Sequence, residues 1–241
     1  MKAPGYLHTP RPRLFLQPRR RTVSPLLTSL IAHWRLDEAS GVRSDSHRAN
    51  HLTDNNTTGQ AAGKVGNAAL FVAANEESLS IADNADLSMG DIDFTVAGWV
   101  YFTTTAFTGL AGKWGPGPVL EYLVYFDGTN IRLHVSPNGS SNVSVTNSQA
   151  ISAGTWYFFV AWHDAAANTI NLSVNNNSAA SLAHSGGVFN GNAAFHLGRN
   201  EEGMSWLNGR LDSVSIWKRV LTSAERTQLY NSGNGLDYPF V

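Results

Sequence analysis

Hydrophobic positions in this chain recur with a period of two. Ile92, Phe94, Val96, Val100 and Phe102 fall on one face of a segment, with Asp93, Thr95, Trp99 and Tyr101 on the other. Side chains alternate in this way across a β-strand, not around a helix. Ile170, Leu172 and Val174 alternate with Asn171, Ser173 and Asn175, and Asn176-Asn177 then supplies a turn. Trp156–His163 is apolar on both faces, as a central strand between packed layers must be. Further strands are predicted at Ile31–Leu36, Ala68–Val72, Ser78–Ile81, Leu120–Phe126, Ile131–Val135, Val143–Thr146, Phe195–Gly198 and Leu211–Lys218. Many short strands, punctuated by Gly, Asn, Ser and Thr, predict an all-β chain of two packed antiparallel sheets.

One helix interrupts the pattern. Thr222-Ser-Ala-Glu225 is a capping box, in which the Thr222 hydroxyl accepts from the Glu225 amide and the Glu225 carboxylate reaches back. Ala224, Gln228 and Leu229 favour helix, and Gly233 is placed to end it. The core candidates are Phe71, Phe94, Trp99, Val160, Leu211, Val214 and Ile216.

Charge divides the chain in two. Met1–Leu30 holds six Lys/Arg, no Asp or Glu, and five of the nine prolines. The rest holds eleven basic and eighteen acidic residues, so the total of −1 is a +6 arm cancelling a −7 body. Two regions follow: a basic arm over residues 1–30 and one domain over 31–241. A body of about 210 residues suits a single β-sandwich. Pro4, Pro10, Pro12, Pro18 and Pro25 favour extended backbone, which suits a strap laid across a neighbouring subunit. Arg11, Arg13, Arg19, Arg20 and Arg21 would then pair with acidic groups on that partner. Specific nucleic-acid binding is disfavoured, because the body is acidic and the arm has few aromatics. The absence of cysteine excludes disulfides and thiolate metal sites. No apolar run is long enough to span a bilayer, and prolines and arginines interrupt the N-terminus where a secretory signal would need a continuous apolar stretch.

Several phrases carry a family resemblance. They are Trp34-Arg-Leu-Asp-Glu-Ala-Ser-Gly41, Gly63-Lys-Val-Gly-Asn-Ala-Ala-Leu-Phe71, Gly90-Asp-Ile-Asp-Phe-Thr-Val-Ala-Gly-Trp-Val100, Leu197-Gly-Arg199 and Gly209-Arg-Leu-Asp-Ser-Val-Ser-Ile-Trp217. Their order and spacing over Ile31–Gly235 resemble the laminin-G-like, concanavalin A-like jelly-roll domains of bacterial surface and phage proteins. The expected fold is therefore a concanavalin A-like two-sheet sandwich with one short C-terminal helix and an extended N-terminal arm. Fold alone does not fix activity.

The resemblance implies three kinds of site. A structural Ca²⁺ is expected at Asp37, Asp45 and Asp212, since hard cations take carboxylate and carbonyl oxygens. Glycan binding is expected of the fold, with Trp114, Tyr122, Asn200 and Trp206 as aromatic and amide candidates. Glycoside hydrolysis would need two carboxylates flanking the scissile bond. The Glu-x-Asp-x-x-Glu pattern of related hydrolases is missing here, and Asp91, Asp93 and Glu201-Glu202 read as solvated turn residues. A Gly-x-Ser-x-Gly elbow is missing too, so no catalytic residue is assigned. The expectation is a non-enzymatic structural or interaction protein, a bacteriophage capsid-decoration or tail/fibre component held in a virion by its arm. The alternative is a carbohydrate-binding adhesin module at a cell surface or outside the cell. Oligomerisation is compatible with either.

Overall fold

In a computed structural model, residues 1–2, 23–200 and 205–241 are described. The five arm arginines and Glu201-Glu202 lie outside the described residues. The strands, in chain order, are β1 (Leu30–Trp34), β2 (Thr53–Asn55), β3 (Gly59–Ala62), β4 (Asn67–Phe71), β5 (Ser78–Ile81) and β6 (Phe94–Phe102). Then come β7 (Thr108–Trp114), β8 (Leu120–Phe126), β9 (Ile131–Val135), β10 (Val143–Thr146), β11 (Trp156–Asp164) and β12 (Thr169–Val174). The last are β13 (Ala180–Ala183), β14 (Phe195–Leu197), β15 (Arg199–Asn200), β16 (Ser205–Trp206) and β17 (Gly209–Trp217), followed by helix α1 (Ser223–Tyr230).

Two large antiparallel sheets form the sandwich. One runs β13-β12-β11-β6-β17-β4-β3, and β1 pairs with the second half of β17. The other runs β10-β9-β8-β7-β14-β5-β2. The alternation read in β6 is realised: Phe94, Val96, Val100 and Phe102 enter the inter-sheet core with Phe71, Leu211, Val214 and Ile216. Ile92 falls outside the strand and is exposed.

The opposite face of the first sheet builds a second core. Ala97, Trp99, Phe158, Val160, Trp162 and Trp217 pack there against Leu26, Leu30, Leu221, Leu229 and Phe240. The core candidates Trp99 and Val160 belong to this one. The second core draws in residues before Ile31: Leu26 and Leu30 are fully buried, and the Trp217 indole donates to the Leu26 carbonyl at 2.7 Å. Leu26 and Leu30, which fall in the expected arm, thus pack against the sandwich.

Helix α1 starts as its capping box predicts, with both reciprocal bonds made. It ends at Tyr230 because Asn231 takes the left-handed conformation (φ 48°), ahead of Gly233. β7 was not legible as a strand. Glycines interrupt its pattern, and Gly112 is required because a Cβ there would overlap the Tyr122 carbonyl of β8.

Candidate functional site

The expected sugar-binding set does not assemble. Tyr122 points into the main core, fully buried, and its hydroxyl donates to the Leu87 carbonyl at 2.9 Å. It is a core residue with its one polar atom satisfied, not a platform. Trp114 ends β7 instead of sitting in a loop and is 3% exposed. It clusters with Leu120, Leu123 and Tyr125, 5.3 Å from the His134 ring. Burial pushes the His134 imidazole down to about 4, and Tyr125 Oη lies 2.5 Å from its Nε2. Asn200 is buried in the β15–β16 hairpin. Trp206, half-buried on the same hairpin, lies under the Arg199 guanidinium at 5.6 Å. That hairpin packs on the Gly109 end of β7, whereas Trp114 closes the other end.

The three metal candidates serve backbone turns. Asp45 accepts from the His33 and His47 amides through Oδ1 and from the Asn50 amide through Oδ2. Asp212 accepts from the Lys64 and Val65 amides at 2.5 and 2.8 Å through Oδ2, and from the Ser213 hydroxyl at 2.8 Å through Oδ1. Asp37 accepts from the Asn67 amide. Asp37 and Asp212 therefore hold the same 63–67 turn, where Gly66 has φ 69° and a Cβ would press on Asp37. Asp45 holds a different one. Among the described residues no group of three or more His, Asp or Glu is placed to hold a metal ion; each of the three carboxylates accepts from at least one backbone amide. Burial pushes the Asp212 carboxyl up to about 7.

A second buried charge cluster was not anticipated. Lys113, fully buried, sits 2.5 Å from Asp83 and 2.6 Å from Glu121. Burial pushes Glu121 up to about 7. The ammonium also donates to the Ser88 hydroxyl, so the cluster ties the 83–88 loop to β7 and β8. Asp91 and Asp93 are turn carboxylates: the Asp91 side chain is 70% exposed, and Asp93 accepts from the Ala165 amide.

The concavity with convergent polar groups lies elsewhere, on the edge of the first sheet beside α1. A cavity of about 280 Å³ is lined by Ser173, Asn176, Asn177, Ser178, Arg226 and Thr227, among others. An adjoining cavity of about 410 Å³ shares Asn177 and Ser178 and adds Asn147, Ser148, Gln149 and Ala150. The two concavities meet at Asn177 and Ser178 and are called the groove below.

Three segments build it. The first is the β12–β13 turn. Asn175 and Asn176 both have positive φ (52° and 57°), and the Asn177 amide donates to the Val174 carbonyl. Asn tolerates this left-handed pair at low cost. The turn is therefore Asn175-Asn176, one residue earlier than predicted. Asn175 stays with the sheet, accepting from the Phe158 amide, while Asn176 and Asn177 project to either side. Asn176 exchanges hydrogen bonds with Thr227 of α1 at 3.1 and 3.3 Å. Asn177 donates to Gln149 Oε1 at 2.9 Å.

The second segment, residues 147–150, follows β10. Asn147 fixes it by bridging both sheets: its backbone amide donates to Ile131 and its side-chain amide to Leu172. The third is α1, held by its capping box and by Arg219 paired to Glu225 at 2.7 Å. At the groove wall the Arg226 guanidinium lies over the Trp162 ring at 4.3 Å. The groove is lined by amides, hydroxyls and one guanidinium, with no carboxylate among the described residues that line it. Such a surface can exchange paired hydrogen bonds with a polyhydroxylated ligand.

The fold and this surface define a lectin-like jelly roll. The family model described as the concanavalin A-like lectin/glucanases superfamily matches residues 73–225, and the chain belongs to that superfamily. Similar solved structures include the binding domain of Paraclostridial Mosquitocidal Protein 1, with TM-score 0.69 and 16% identity over 86% of this chain and 53% of that one. Domain 4 of AbnA, an extracellular arabinanase from Geobacillus stearothermophilus solved with arabinotriose, has TM-score 0.59 and 20% identity over 83% of this chain and 97% of that one. The botulinum neurotoxin serotype C1 binding domain has TM-score 0.63 and 10% identity over 86% and 52%. The chain thus spans about half the length of the two toxin structures. No curated protein matches it by sequence.

Proposed function

We propose that this domain is a carbohydrate-binding module, acting outside the cell or at a surface, and that its glycan lies in the groove between the β12–β13 turn, residues 147–150 and α1. One observation carries the reading: Asn176, Asn177, Ser178, Thr227 and Arg226 line one open concavity, and Gln149 lines the concavity that adjoins it at Asn177 and Ser178. Amide groups donate and accept side by side, which suits the hydroxyls of a sugar ring. The Asn176–Thr227 and Asn177–Gln149 bonds hold the side chains in place before a ligand arrives, lowering the ordering cost of binding. The superfamily match and the arabinotriose-bound neighbour support this reading over a virion role. The role is binding rather than hydrolysis, because the groove offers no pair of carboxylates for acid and base.

A glycan array probed with the wild-type domain and with Asn177→Ala tests the proposal. Wild type should bind a defined subset of glycans, and the variant should lose that signal while keeping its melting temperature. An array without signal, or identical signals from both proteins, would overturn it.

A further inference from the structure

Among the described residues the groove contains a guanidinium, Arg226, that forms no salt bridge. Arg226 donates from Nη1 to the Leu221 carbonyl, and its flat face is taken by Trp162 at 4.3 Å. Within the described residues its Nε and Nη2 make no hydrogen bond and it forms no salt bridge. The nearest carboxylate in sequence, Glu225, is already committed. Its two oxygens take Arg219 at 2.7 and 2.8 Å, and Oε2 also accepts from the Thr222 amide and hydroxyl. The remaining lining groups, Ser173, Asn176, Asn177, Ser178, Ser223 and Thr227 among them, are neutral, as are Asn147 and Gln149 alongside.

A guanidinium drawn partly out of water, with one carbonyl and one ring as its partners, keeps donors free for an anion. Burial lowers the Arg226 pKa and Glu225, whose oxygens are bonded to Arg219 and Thr222, opposes this, which agrees with a charge drawn partly out of water. A guanidinium stacked on an aromatic face is also fixed in plane, which prepares its open edge for a planar, two-oxygen acceptor.

We propose that the groove selects acidic glycans, with the carboxylate of a sugar acid seated on Arg226 and neighbouring hydroxyls held by Asn177 and Gln149. This rests on the groove being the glycan site. Sugar acids of this class include sialic and uronic acids, which share the carboxylate and differ in ring substituents.

Calorimetric titration with matched pairs tests the proposal: sialyllactose against lactose, and trigalacturonic acid against its neutral methyl ester. The wild type should bind at least one acid roughly tenfold more tightly than its neutral partner, the worth of one charge-assisted hydrogen bond. Arg226→Gln should bring that acid and its neutral partner to similar affinity. Arg226→Lys, which keeps the charge without the fork, should retain part of the preference and controls for folding. Asn177→Ala should weaken both members of the pair alike. Equal wild-type affinity for acid and neutral partner, or a preference that survives Arg226→Gln, would overturn the inference and leave the groove reading intact. A sulfated lactose bound as tightly as sialyllactose would overturn carboxylate selectivity. Absence of binding to every probe would overturn both.

Discussion

The guanidinium of Arg226 in α1 lies 4.3 Å from the ring centroid of Trp162 in β11. The contact joins a helix near the end of the chain to a central strand and sets the wall of the groove. It predicts an energetic coupling. A double-mutant cycle with Arg226→Ala and Trp162→Leu, read by urea unfolding, should give about 0.5–2 kcal/mol. A coupling indistinguishable from zero would mean that the stacking does not position the guanidinium.

Tyr122 predicts the reverse of its expected role. Tyr122→Phe removes the donor to the Leu87 carbonyl and should cost about 1–3 kcal/mol of stability by leaving a buried acceptor unpaired. Glycan affinity should not change. A selective loss of binding with stability intact would return Tyr122 to the site.

The two-sheet architecture was legible because apolar and polar positions alternate along β6 and β12, and the capping box marked α1 directly. The site was only half legible. Asn171, Ser173 and Asn175 were visible as a polar face of β12, and the Asn-rich turn was visible beside it. That α1 would lie against this face was not, because the helix is some fifty residues further along the chain and only tertiary packing brings it there. Trp114 and Tyr122 misled for a related reason. Aromatic residues serve equally as core and as sugar platforms: Trp114 sits on β7, which its glycines hide, and Tyr122 on β8, a wholly buried strand whose sequence does not mark which face meets the main core. Asp212 is fully buried, and it accepts from the Lys64 and Val65 backbone amides, partners that sequence cannot display.

Asp212 predicts a pH dependence. Its folded pKa, about 7, lies above the ordinary carboxylate value of 3.8 because the group is buried. The folded state therefore holds a proton that the unfolded state has released between roughly pH 4 and 7. The Asp212 contribution to stability is greatest below pH 4 and is lost as pH rises through 7. His33, pushed down to about 3 by burial, works in the opposite sense: its contribution is present above pH 6.5 and is lost as pH falls towards 3. The two partly cancel in the wild type. Asp212→Asn removes one of them, so the variant should gain stability relative to wild type as pH rises from 4 to 7, by on the order of 1 kcal/mol per pH unit. Denaturant melts at pH 4.5, 5.5 and 6.5 measure this. A constant difference between the two proteins would show that Asp212 is not held protonated.

The most direct measurement is a ¹⁵N-edited NMR titration of the domain with the best soluble glycan from the array, following side-chain amide and guanidinium resonances. The account predicts progressive shifts at Gln149, Asn176, Asn177 and the Nε of Arg226, with those of Arg199 and Trp206 unmoved. Shifts centred on Trp114 or on the β15–β16 hairpin, with the groove silent, would contradict it.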